Sequence, residues 1–139
     1  MKKRLALAWA PLVMGIAMML PTTTMAATGY STQIVDQHCI NGGHNIYFRV
    51  SLTAAGTTPA NKLTIKSTSQ YYSGGTWHNF YKWATDKDKF TPNGTAHTID
   101  YSYTHQDNSS PYQWRITSVL KALQGKHVLY SHKLTSKAC

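Results

Sequence analysis

Apolar and polar residues alternate with a period of two along most of this chain. From His44 to Leu52 (HNIYFRVSL), Ile46, Phe48, Val50 and Leu52 share one face, and Asn45, Tyr47, Arg49 and Ser51 share the other. That is the pattern of a strand with one buried side. Lys62 to Thr68 repeats it with Leu63 and Ile65 set against Lys62, Thr64 and Lys66. Thr95 to Thr104 sets His97, Ile99, Tyr101 and Tyr103 opposite Thr98, Asp100, Ser102 and Thr104. In Tyr112 to Leu120 the inner residues are Tyr112, Trp114, Ile116, Ser118 and Leu120; in His127 to Leu134 they are Val128, Tyr130, His132 and Leu134. A weaker strand, Thr32 to His38, precedes them.

Turn formers separate these runs: Asn41-Gly42-Gly43, Thr58-Pro59-Ala60-Asn61, Ser73-Gly74-Gly75, Pro92-Asn93-Gly94, Asp107 to Pro111, and Gln124-Gly125. Gly supplies positive φ, while Pro fixes φ and lacks a donor, so each cluster ends its strand. Val119 to Gln124 has room for one helical turn before Gly125. About seven strands with turns this frequent predict an all-β, immunoglobulin-like antiparallel sandwich, with a closed Greek-key barrel as the alternative.

Gln70 to Phe90 (QYYSGGTWHNFYKWATDKDKF) breaks the pattern. Its seven aromatics, Tyr71, Tyr72, Trp77, Phe80, Tyr81, Trp83 and Phe90, keep neither period two nor period 3.6 for long. Gly74-Gly75 reads as a flexible point, and Lys82, Lys87 and Lys89 gather around Asp86 and Asp88. Two readings follow: a long flexible connection holding rings in solvent, or a long hairpin whose rings cap the sandwich.

Residues 1–26 read as a signal peptide. Lys2, Lys3 and Arg4 precede a 16-residue uncharged run from Leu5 to Leu20, and Thr24-Met25-Ala26 fits cleavage before Ala27. Pro11 and the shortness of the run argue against a membrane span. The 113 residues that remain would form one domain with eleven Lys and Arg against five Asp, a net charge of +6 instead of the +9 of the full chain. Such a balance attracts anions. Because the cations are spread singly, specific nucleic-acid binding is not expected. Cys39 and Cys139 both survive processing, and export into an oxidising setting predicts a disulfide between them.

All five acids are Asp, which excludes chemistry built on Glu: a Glu acid/base pair, a Glu-dependent zinc peptidase, an EF-hand. No nucleophile elbow or phosphate loop is present. The seven histidines, His38, His44, His78, His97, His105, His127 and His132, lack i,i+2 pairing and give no metal motif. Copper or haem ligation by a pair from different strands stays open. Asp86-Lys87-Asp88 reads as a solvated loop. The stronger clue is nine Tyr and, after residue 26, three Trp. Phenol and indole yield electrons to radicals when solvent reaches them.

With Gln70-Tyr71-Tyr72-Ser73 and Asn79-Phe80-Tyr81-Lys82-Trp83, a leader, a basic mature chain and this strand pattern, the sequence resembles the RoxP-type secreted radical oxygenases of Cutibacterium. The resemblance covers the layout of the mature chain and rests on residue character, not on a unique motif. It implies a secreted, extracellular antioxidant with oxidoreductase character, whose compact core carries a flexible loop beside a positively charged groove. It points to Tyr71, Tyr72 and Tyr81 as radical-reducing residues, Trp77 and Trp83 as helpers, and Lys82, Lys87 and Lys89 along the groove. The partners expected are free radicals or a small anionic ligand, haem among them, and the chain is expected to be a monomer. The competing reading is a binding or adhesion module for an anionic host surface or glycan.

Overall fold

The computed structural model describes residues 24–25, 29–40 and 45–139, which contain strands and no helix. The expected signal peptide lies outside the described residues, apart from Thr24–Met25. So do the Asn41-Gly42-Gly43 turn and His44. The strands are β1 (Thr24–Met25), β2 (Tyr30–Ile40), β3 (Asn45–Ala54), β4 (Lys62–Ser73), β5 (Thr76–Lys82), β6 (Asp86–Lys89), β7 (His97–His105), β8 (Trp114–Gln124) and β9 (His127–Thr135).

They form two antiparallel sheets. The first has the order β1-β2-β3-β7. The second has the order β5-β4-β8-β9, with β6 pairing β4 beyond the end of β5. β3 lies over β8, β2 over β9, and β7 over β4 and β6. Successive strands cross between sheets at β3–β4, β6–β7 and β7–β8. Leaving β1 and β6 aside, the order is that of the A-B-E and C′-C-F-G strands of an immunoglobulin-like sandwich.

The alternation read from the sequence sets the core. Ile46, Phe48, Val50 and Leu52 of β3 are buried and meet Trp114, Ile116, Leu120 and Ala122 of β8, with Leu63 and Ile65 of β4 alongside. Burying each large side chain stabilises the fold by about 1.5–3 kcal/mol. At the centre of the second sheet, opposed Ser67 and Ser118 satisfy each other inside the core through a 2.6 Å hydroxyl pair.

Several expectations change. Val119 to Gln124 is strand, not helix, because Leu120 and Ala122 face the core and β8 is paired on both sides. His132 is exposed on edge strand β9, and Tyr101 stays 39% exposed on edge strand β7 despite sharing the inner face. Tyr112 falls before β8 begins and is also exposed. Cys39 and Cys139 are bridged, with their Cα atoms 5.6 Å apart. The bridge straps the C-terminal segment, whose Cys139 exchanges two backbone hydrogen bonds with Trp114, to β2.

Candidate functional site

The aromatic segment is ordered as strand. Gly74 and Gly75, with φ of 58° and 82°, are the two central residues of a type I′ turn that pairs Ser73 with Thr76. The expected flexible point is thus a tight hairpin, and the second of the two sequence readings describes the segment. The irregular spacing of its rings has a physical cause. Ser69 pairs Tyr81 while Gln70 pairs Asn79, so Phe80 is the extra residue of a β-bulge. Trp77, Asn79 and Lys82 therefore point to the outer face, whereas Phe80 packs with inward Tyr71 and Trp114.

Rings still reach solvent, those of β5 because it is an edge strand and that of Tyr72 because it points outward from β4. Tyr81 is 53% exposed, Phe80 61% and Tyr72 41%. Tyr81 meets Trp83 edge-on at 5.3 Å, and Trp83 meets buried Tyr103 at the same distance. The Tyr103 hydroxyl donates a 2.6 Å hydrogen bond to Asp86 Oδ2. Burial first, and then that hydrogen bond, push the Tyr103 phenol well above its ordinary pKa, so it stays protonated. An exposed phenol, an indole and a buried phenol with a proton acceptor thus stand in line.

A second cluster closes the end of the sandwich. Tyr71 contacts Tyr112, His78, Phe80 and Trp114, and His105 packs on Trp114 at 3.9 Å. Burial lowers the His105 pKa, opposed in part by Asp107, which favours the neutral ring. Among the described residues, the buried His105 Nε2 and Trp114 Nε1 have no hydrogen-bond partner. A cleft of about 370 Å³ opens beside this cluster, between Tyr71, Phe80, Tyr112 and Asp107.

The expected site residues divide between two faces of the second sheet. Tyr71, Tyr81 and Trp83 belong to the inner side. Tyr72 and Trp77 pack together at 5.2 Å on the outer side, with the Arg115 guanidinium 4.2 Å above the Trp77 ring. Lys82, Lys87 and Lys89 lie on that outer face too, because their partners Thr68, Thr64 and Lys62 do. They are separated by the sheet from Tyr81 and Trp83, so lysines and the inner rings do not line one groove. Lys66, Lys121 and Lys133 complete the face from β4, β8 and β9.

Asp86 and Asp88 point the other way, the latter accepting a 2.7 Å hydrogen bond from His97, whose ring stacks on Phe90. The expected solvated loop is strand β6 because Asp86 and Asp88 find partners on β7 while Lys87 and Lys89 face water. Sequence reasoning missed Asp86, Tyr103, His105, Tyr112 and Trp114 as members of the aromatic clusters. Alternation placed Tyr103 and Trp114 inward, but the Tyr103–Asp86 contact joins strands of different sheets and has no local signature.

No protein-family model and no curated protein matches the chain. Among solved structures it is similar to the sporulation control protein Spo0M from Bacillus subtilis, with a TM-score of 0.36, 9% identity, and coverage of 81% of this chain and 48% of that one. It is also similar to a beta-glucosidase from Kluyveromyces marxianus in complex with glucose, with a TM-score of 0.35, 13% identity, and coverage of 81% and 14%. The chain spans about half the length of the first and a small part of the second.

Proposed function

We propose that this chain is an exported, monomeric antioxidant that quenches radicals through rings of β5, the β5–β6 connection and β7. The observation that carries the reading is the succession Tyr81, Trp83, Tyr103, Asp86, running from solvent to a buried hydrogen-bonded phenol. An oxygen-centred radical takes a hydrogen atom from the Tyr81 phenol and becomes a hydroperoxide or alcohol, leaving a tyrosyl radical. An electron then moves from Tyr103 by way of Trp83 to Tyr81, which takes a proton from water. The Tyr103 proton shifts along its hydrogen bond to the Asp86 carboxylate. The exposed phenol is restored, and the oxidising equivalent rests on a ring that solvent cannot reach. Without an external one-electron donor to re-reduce Tyr103, each chain is a stoichiometric scavenger. Export rests on the leader-like N-terminus and suits the disulfide.

Stopped-flow decay of a coloured stable radical tests the reading. Tyr81→Phe/Trp83→Phe should lose most of the fast phase. Tyr101→Phe should keep it, because Tyr101 is 39% exposed but, among the described residues, stands apart from the stacked rings. Equal losses in the two variants would reduce the reading to generic phenol reactivity, and no quenching by the unmodified chain would end it.

A further inference from the structure

Charge on this molecule is sorted by face. The outer face of the second sheet carries Lys62 and Lys66 from β4, Lys82 from β5, and Lys87 and Lys89 from β6. Arg115 and Lys121 of β8 and Lys133 of β9 pair with outward β4 or β8 positions and join them. These are eight of the eleven Lys and Arg that follow residue 26. None of the five Asp shares the face: Asp36 and Asp100 belong to the first sheet, Asp86 and Asp88 point inward, and Asp107 is in the β7–β8 connection. Arg49 is held by Asp100 through two 2.9 Å contacts, whereas among the described residues the eight cations of this face have no carboxylate partner.

Sheet geometry fixes the spacing. Cations two residues apart on a strand stand about 7 Å apart, neighbouring strands about 4.8 Å apart, and Lys62 to Gln70, opposite Arg115, spans about 27 Å. Like charges so placed repel one another, and a linear polyanion laid along the strands relieves that repulsion while releasing its own counterions. At the Lys62 end the face deepens into a cleft of about 420 Å³ between Asn61, Lys62, Lys89, Phe90 and Gly125.

We infer that this face binds an extended anionic polysaccharide, one bearing sulfate or carboxylate groups. Two features select the polysaccharide over a nucleic acid. Seven of the eight cations are Lys, a compact point charge without the fork that suits phosphates and base edges. Between them stand Thr64 and Thr68, half-buried hydroxyls on the same face that suit sugar hydroxyls as donors and acceptors, while Gln70 is held within the sheet by Asn79, Arg115 and Thr117. Single-strand binders interleave aromatic platforms with their cations. Here, among the described residues, the rings that point outward from the strands of this face, Tyr72 and Trp77, sit at one end, and Arg115 already covers Trp77.

The inference is independent of radical chemistry and is tested apart from it, by titrating the full chain with heparin as the probe. Binding should weaken as salt rises. Lys66→Gln/Lys121→Gln should lower affinity about tenfold or more and reduce the slope of log K against log salt by about two. Arg49→Gln/Lys137→Gln removes the same charge away from this face and should leave affinity within about twofold. Equal losses in the two pairs would assign binding to net charge and overturn the inference. So would absence of binding at physiological salt, or tighter binding to a single-stranded oligonucleotide or to anionic phospholipid vesicles of equal charge. Circular dichroism and thermal melting check that each variant folds.

Discussion

Replacing Cys39 and Cys139 together by Ser opens a loop whose ends are 100 residues apart in sequence. The loop holds every strand from β3 to β9, so nearly the whole unfolded ensemble gains freedom. Chain entropy puts the destabilisation at about 4.7 kcal/mol for a loop of this length, an upper figure because real unfolded chains stay partly compact. Little is lost in the folded state. Cys139 keeps its hydrogen bonds to Trp114 at 2.8 and 2.9 Å, and Lys137 N keeps its bond to Gln37 Oε1 at 2.9 Å. The expected loss is therefore about 3–4 kcal/mol, a large share of the roughly 5–15 kcal/mol that stabilises such a domain. The melting temperature should fall by roughly 15 °C. Urea unfolding followed by tryptophan fluorescence reads both stability and slope. The slope should rise, since the unbridged chain exposes more surface. A loss below about 1 kcal/mol with an unchanged slope would refute the entropy argument.

Other outcomes follow from the core. Ser67→Ala strands the Ser118 hydroxyl in the interior and should cost about 1–3 kcal/mol, whereas Ser67→Ala/Ser118→Ala should cost less than the two single changes summed; a double-mutant cycle measures that coupling. His105 has a lowered pKa in the folded state, so the unfolded chain binds its proton first. Its contribution is present above about pH 6.5 and is lost as pH falls toward the folded value. His105→Phe should flatten the stability–pH curve in that window, as read by urea midpoints, and an unchanged slope would count against a buried neutral ring.

Much of the fold was legible in the sequence because a half-buried strand writes its environment as alternation. Ile46 to Leu52 and Leu63 to Ile65 turned inward as their spacing required. The bridge followed from there being two cysteines and a leader. The aromatic segment was opaque for a definite reason: the Phe80 bulge shifts the register in mid-strand, so period two holds on either side of it but not through it. His132 and Tyr101 were misplaced because alternation identifies a face and not how far the opposite sheet extends over it. The separation of Lys82, Lys87 and Lys89 from Tyr81 and Trp83 depends on the same register. The Tyr103–Asp86 hydrogen bond depends on how two sheets stack, which no local pattern encodes.

Freeze-quench electron paramagnetic resonance after one-electron oxidation of the full chain tests the ring succession most directly. A long-lived neutral tyrosyl signal, that of the buried, hydrogen-bonded Tyr103 phenoxyl, should accumulate. In Tyr103→Phe it should give way to a shorter-lived signal from the exposed Tyr81 ring, and in Trp83→Phe the passage from the Tyr81 signal to the Tyr103 signal should be much slower. A tyrosyl signal of unchanged shape and yield in Tyr103→Phe would place the radical elsewhere and contradict the account.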